Sequence, residues 1–224
     1  MNETANKPWR EESEAWQTAY RDKELIQRRT VKHRKKLERL GVLAWPKETR
    51  LLDLCCGTGE VLKILRGAGF EKLTGVDATI SSELAGESGL RVVEGPSTAL
   101  PFEDRSFDAV LCMHSLHHLG GVEGIRSTLK EALRVLKPGG RLALIDHYDS
   151  TQLRLAFWLC RQAWFAWPTS GLRSFRVQLI EEWPYLSEYL RDWPLVEKTI
   201  LSSGCETEAT SGDLFFFYWV GRKK

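Results

Sequence analysis

Residues 51–60 read Leu51-Leu52-Asp53-Leu54-Cys55-Cys56-Gly57-Thr58-Gly59-Glu60. An apolar run of strand type passes directly into a glycine-containing turn and then into a helix start. Glycine matters there because a ligand approaches the backbone closely only where no side chain intervenes, and because such turns often need positive φ. Further on, Gly75-Val76-Asp77 ends the next apolar run with an acid. A carboxylate at that strand end is placed to accept hydrogens from both hydroxyls of a ribose. A lone Gly-x-Gly is weak, but with Asp53 on the strand before it and Asp77 after it, the pattern points to an adenosine cofactor. A dinucleotide would want a third glycine at position 62, which is leucine, so the pyrophosphate reading weakens.

Outward from this unit, short apolar runs predict strands at Arg50–Cys55, Lys72–Val76, Leu90–Val93, Phe107–Met113 and Arg141–Ile145. Strands alternating with helical segments mean a parallel sheet covered on both faces. The clearest helix carries Val122, Ile125, Leu129, Ala132, Leu133 and Leu136 at amphipathic spacing and stops at Lys137-Pro138-Gly139-Gly140. The stretch Ser81–Gly89 has room only for an abbreviated helix. Past Asp149 the composition changes: residues 150–193 hold Trp158, Trp164, Trp167, Trp183 and Trp193, five of the nine tryptophans. A helix through Leu153, Phe157, Cys160 and Trp164, with Leu155, Trp158 and Leu159 opposite, wants burial on most sides, and a second is expected to start at Pro184. The tail reads as a helix over Leu195–Ser202, a stop at Gly204, and two strands joined by Ser211-Gly212-Asp213 as a hairpin. The expected architecture is a doubly wound α/β fold, with a mostly parallel seven-stranded sheet, an antiparallel closing hairpin and a helical Trp-rich insert after strand 5. The expected division is an N-terminal helical segment, 1–47, and a main domain, 48–224, carrying the insert at 150–193.

A chain of 224 residues with 42% apolar composition buries a real core, which excludes intrinsic disorder and a disulfide scaffold. Its 32 basic and 30 acidic residues nearly cancel, so no global field argues for nucleic acid. Arg21 to Arg50 is nevertheless basic, with eleven Lys and Arg against four Asp and Glu. A solvated helix face is the plainer account, and an anionic surface or an acidic cofactor group the other. Five scattered cysteines without a C-x-x-C pair suggest neither disulfides nor zinc, and point to a reducing cytosol. The N-terminus lacks the apolar core of a signal peptide, and no run of eighteen apolar residues occurs, so the expected location is cytoplasmic.

The stretches LLDLCCGTGE, GVDAT, ALPFEDRSFDAVLCMHSLHHL and EALRVLKPGGRLALIDH, in this order, resemble the class I S-adenosylmethionine-dependent methyltransferases, especially the small-molecule group that includes the quinone C-methyltransferases. The likeness covers about residues 48–148 and the closing hairpin. It implies S-adenosylmethionine as cofactor, S-adenosylhomocysteine as product and a small, hydrophobic or aromatic methyl acceptor. Carried over residue by residue, it puts Gly57 and Gly59 around the methionine moiety, with Asp53 ordering that loop and the backbone at Cys55 or Gly57 meeting the amino group. Asp77 would hold the ribose, Ala78 would lie against the adenine, and His114 would border the sulfonium. Where members often have an acid that accepts from the adenine amino group this chain has Pro96, leaving the Ser97 amide to donate to the adenine ring and the Ser97 hydroxyl to substitute for the acid. Losing one such hydrogen bond costs about 0.5–1.5 kcal/mol. Trp16 and Tyr20 are candidates for the opposite wall, with Arg28 or Arg29 on the methionine carboxylate.

Transfer from a sulfonium needs positioning more than acid, and a base only where the acceptor loses a proton. His114, His117, His118 and His147 cluster in the loops after strands four and five, at the carboxyl edge where doubly wound folds bind ligands. His117 is the first candidate base, with His118 and His147 beside it; lining a turn is the competing role. No carboxylate or cysteine completes a metal-ligand spacing with them. The Trp-rich insert is a lid over this edge or plain core. Two other classes compete with the main reading. One is an RNA-directed methyltransferase using the basic arm, against which Met113-His114-Ser115-Leu116 lacks a Pro-Pro-aromatic motif. The other is a non-catalytic S-adenosylmethionine-binding protein, suggested by Pro96. A membrane-peripheral quinone or lipid enzyme, touching the bilayer through the Trp-rich helix, is a variant of the main reading.

Overall fold

The computed structural model describes residues 23–162 and 170–224. In chain order these form α1 (Lys23–Arg39), β1 (Leu51–Leu54), α2 (Glu60–Gly67), β2 (Leu73–Asp77), α3 (Ser82–Ala85), β3 (Arg91–Glu94), β4 (Phe107–Met113), α4 (Gly121–Val135), β5 (Leu136–His147), α5 (Thr151–Arg161), α6 (Ser170–Arg191), α7 (Trp193–Leu201), β6 (Cys205–Gly212) and β7 (Phe216–Lys223). Short 3-10 turns lie at Val42–Ala44 and Leu116–His118. Seven strands form one sheet in the order β3-β2-β1-β4-β5-β7-β6. The pairs among β1 to β5 are parallel, whereas β7 runs antiparallel to both β5 and β6.

All four residues of β1 are buried, as a central strand covered on both faces requires. Strand alternation divides them between two cores. Leu52 and Leu54 join Val110, Leu144, Ile125 and Leu129 on the face covered by α4 and α7. Leu51 joins Leu37, Leu62, Ala109, Ile145 and Tyr218 on the face covered by α1 and α2. The sheet order reverses between β1 and its neighbours β2 and β4, so the crevice at their carboxyl ends is the topological switch point.

Some expected boundaries move. Helix α4 ends at Val135 and β5 begins at once with Leu136, so Lys137-Pro138-Gly139-Gly140 is a bulge within the strand, between the pairs Phe107–Leu136 and Ala109–Arg141. Pro184 does not start a helix; it lies inside α6. A proline there strips the Ile180 carbonyl of its helical donor, and both residues are exposed, where water replaces the bond. On α5, Leu153, Phe157 and Cys160 are buried, but Leu155 and Trp158 are 55% and 57% exposed, against the expectation of burial on most sides. Trp164 and Trp167 lie outside the described residues. No described helix is long and apolar enough to cross a membrane.

Candidate functional site

The carboxyl ends of β1, β2, β4 and β5 open into a cavity of about 760 Å³, walled also by α1, α6 and Phe216 of β7. Small-molecule sites span about 300–1,000 Å³. Two of the three non-glycine residues with positive φ in the described chain, Cys55 (59°) and His114 (56°), stand in its wall. Backbone held in that region costs energy and tends to collect at functional sites.

On the β1–β2 side, Gly57 is left-handed and its N–H donates to Asp77 Oδ2 at 2.7 Å, while Thr79 N–H donates to Oδ1 at 3.2 Å. Asp77 itself lines the cavity. Asp53 is 2% exposed, and among the described residues its Oδ2 has no hydrogen-bond partner. Burial, with the Asp77 charge added, pushes its carboxyl up to about 8. A cation or a hydrogen-bond donor brought beside such a group favours its carboxylate form. Cys55, Gly57, Ala78, Pro96 and Ser97 also line the cavity. The Ser97 hydroxyl, the candidate substitute for the acid, lies 2.9 Å from Thr128 Oγ1, and the Ser97 amide, a donor, can meet a ring nitrogen of the adenine but not its amino group. Gly59 is not in the wall. It is left-handed at the start of α2, and a Cβ there would lie 2.4 Å from Leu84 Cδ1. Arg29 lines the cavity and pairs with Glu60, whereas Arg28 is exposed. Tyr20 and Trp16 fall outside the described residues.

On the β4–β5 side the four expected histidines meet. His117 Nδ1 lies 2.8 Å from Asp146 Oδ1, and both side chains are at most 3% exposed. Asp146 also accepts N–H bonds from Leu116 and His147, each at 2.7 Å. Burial opposes the imidazolium of His117, but the Asp146 charge and hydrogen bond, with Glu182 beyond, more than reverse this and raise its pKa. Burial likewise opposes charge on Asp146, and His117 more than compensates, holding its pKa low. The other ring nitrogen of His117, Nε2, is buried without a hydrogen-bond partner. With Nδ1–H donated to the carboxylate, that nitrogen carries the lone pair. The His118 ring lies 4.1 Å from that of His117 and 5.4 Å from Tyr185 of α6. Burial brings His147 down to about 4, and it sits 4.5 Å from the Phe216 ring. His114 is held far below the ordinary value by burial and by Lys36, whose Nζ is 2.7 Å from its Nε2.

Asp146, buried behind this wall, and Lys36, in it, were not singled out from the sequence. Asp146 closes β5 just as Asp77 closes β2, and an acid at a carboxyl-edge strand end was the signal available. Lys36 shares a face of α1 with Arg29 and His33, but within a basic stretch nothing local separates it from its neighbours. Glu182 and Tyr185 bring α6 to the cavity, so part of the insert does cover this edge.

A family model described as a methyltransferase domain matches residues 52–144. "Uncharacterized methyltransferase YcgJ" of Bacillus subtilis is 37% identical over 109 residues, a match spanning 45% of this chain and only 42% of that protein. The demethylmenaquinone methyltransferase of Listeria welshimeri is 32% identical over 179 residues, 75% of this chain and 72% of that protein. Among solved structures, an S-adenosylmethionine-dependent methyltransferase from Mesorhizobium loti superposes with a TM-score of 0.57 at 16% identity, covering 84% of this chain and 97% of that one, a likeness of fold.

Proposed function

Since the chain belongs to the class I S-adenosylmethionine-dependent methyltransferases, we propose that it methylates a small aromatic acceptor of the quinol type, with His117 as the base and Asp146 as the residue that positions it. Asp53, Gly57, Asp77, Ala78 and the Pro96-Ser97 turn would hold the cofactor. When bound, S-adenosylmethionine supplies an electrophilic methyl group whose leaving sulfur departs neutral. His117 Nε2 takes the proton that the methylated ring carbon must lose, Asp146 stabilises the imidazolium so formed, and the buried surroundings exclude water. His118, His147, Phe216 and Tyr185 offer flat faces to an aromatic acceptor. The relative named for a demethylated menaquinone supports that acceptor class.

The single observation carrying this reading is the buried His117–Asp146 pair, with its remaining ring nitrogen unpartnered beside the cavity. The test uses 1,4-dihydroxynaphthalene, kept reduced, as acceptor. Wild-type protein is expected to yield a ring-methylated product by mass. His117→Ala should lower kcat about 10²–10⁴-fold, with S-adenosylhomocysteine affinity unchanged by calorimetry. The acid limb of the wild-type kcat profile should lie above an ordinary imidazole value. In Asp146→Asn it should move below that value, because burial then acts without the compensating charge. Full kcat in His117→Ala, or no product from cofactor-loaded protein, contradicts the assignment.

A further inference from the structure

The His117–Asp146 pair leaves a second basic group in the same cavity unexplained. Helix α1 presents Arg29, His33 and Lys36 to the cavity. Arg29 is paired with Glu60, whereas His33, uncharged because burial brings it down to about 4, has its Nδ1 3.7 Å from the same carboxylate with no hydrogen bond among the described residues. Lys36, two turns beyond Arg29, reaches the other side. Its Nζ is 2.7 Å from His114 Nε2 and 3.4 Å from the centroid of the Phe216 ring.

Among the described residues no carboxylate lies within ion-pair distance of Lys36. The two acids whose fields reach it are already occupied. Asp213 accepts from Tyr218 O–H at 2.6 Å, from the Phe215 and Phe216 amides at 2.9 Å, and from Arg39 at 3.3 Å. Asp146 is taken by His117, Leu116 and His147. Facing Lys36 are therefore Lys32 and His33 from its own helix, His114 from the end of β4, Asp146 and His147 from β5, and Asp213 from the β6–β7 turn. Burial brings the amine down to about 7, against the pull of those two acids, so the uncharged form is accessible near neutrality. A half-buried lysine that touches only a neutral ring nitrogen and an aromatic face lacks the counter-ion such groups ordinarily have.

We propose that Lys36 binds the methyl acceptor through an acidic hydroxyl group, its Nζ taking the hydroxyl proton and holding the oxyanion that remains. The inference rests on the methyltransferase reading of the cavity and adds the acceptor's chemical class: phenols, quinols and enols, ionised in place. The O–H bond breaks with its electron pair left on oxygen, the proton forms an N–H bond on Nζ, and the pair stays neutral overall. The ammonium has three donors, so a bond to His114 leaves others for the oxyanion. An ionised ring hydroxyl also enriches the neighbouring carbon, the atom whose proton His117 then removes. The competing anion is the cofactor's carboxylate. Against it, Arg29 and His33 meet α2 next to the glycine turn, whereas Lys36 sits with His114 and Phe216, in ring contact with His147.

The probe is 4-nitro-1-naphthol, whose ionised form absorbs in the visible, titrated into protein saturated with S-adenosylhomocysteine. Wild-type protein is expected to bind the dye as its anion and lower its apparent pKa by about one unit or more. Lys36→Met should abolish that shift and weaken dye binding tenfold or more, with S-adenosylhomocysteine affinity by calorimetry unchanged. Lys36→Arg, a permanent cation, should restore anion binding. A shift that persists in Lys36→Met, a dye bound neutral or not at all by wild-type protein, or a tenfold loss of S-adenosylhomocysteine affinity in Lys36→Met with the dye unaffected each overturn the proposal. Failure of wild-type protein to bind S-adenosylhomocysteine would instead remove the methyltransferase reading beneath it.

Discussion

Asp53 is held where ionisation is costly: its pKa is about 8 through burial, with the Asp77 charge adding to it, and among the described residues it lacks a partner for Oδ2. An ammonium delivered next to it reverses that balance, because a nearby opposite charge favours the carboxylate. Binding of S-adenosylhomocysteine near pH 7 should therefore release a proton. Calorimetry in buffers of different ionisation enthalpy should show a release approaching one per site, absent in Asp53→Asn, which should also bind more weakly. Equal heats in all buffers would disprove the pairing. Asp53 and Asp77 stand out in the sequence as candidates because each sits on a strand next to a glycine turn, although the sequence reading assigns Asp53 the ordering of that loop and leaves the amino group to the backbone of Cys55 or Gly57. Asp146 does not stand out, since its meaning depends on a histidine that a whole helix separates from it along the chain. Lys36 was less legible still: in a run rich in Lys and Arg, only the packing of α1 across the sheet edge sets one amine apart.

Elements were easier to read than residues. Short apolar runs located the five parallel strands, since each buried strand must be apolar wherever it touches a core, whereas β6, exposed at all but its first residue, was placed only by the hairpin it makes with β7. The misreadings came where tertiary setting overrode local chemistry: Pro184 was absorbed on an exposed helix face, and Pro138 within a bulge of β5. Gly59 shows the same lesson in a residue read for function. Its sequence neighbours suggest a ligand contact, yet it is the hinge between the β1 turn and α2, fitted against Leu84 of α3. Gly59→Ala must strain a left-handed residue (φ 71°) and displace Leu84, which together should cost about 1–3 kcal/mol in urea denaturation. Leu84→Ala should recover part of that loss in the double variant. Full additivity of the two losses would mean that the contact does not limit this position.

At the scale of the whole molecule, the basic groups gathered at the sheet edge set how folding responds to acid. His33 and His147 are brought down to about 4, and His114 is held well below its ordinary value, in each case chiefly by burial. The unfolded chain protonates all three below about 6.5, while the folded protein does so for His33 and His147 only near pH 4, and for His114 well below its ordinary value. Their contribution to stability is complete above 6.5 and is lost as pH falls through that window. Asp53 acts in the opposite sense, since it is protonated in the folded protein up to about 8 and ionised in the unfolded chain above its ordinary value of 3.8. His117, with its pKa raised, favours the fold below the unfolded value and loses that contribution only as pH rises through the folded one, so it is neutral in this window. Between pH 6 and 4.5 the three histidines should make the unfolding free energy rise with pH, and Asp53 opposes part of that slope. The His147→Gln variant should lower the slope by about one proton. Saturation with S-adenosylhomocysteine, which pairs and ionises Asp53, should steepen it by about one. Urea denaturation across that range with and without the ligand measures both changes, and a ligand-independent slope would separate Asp53 from the cofactor's ammonium.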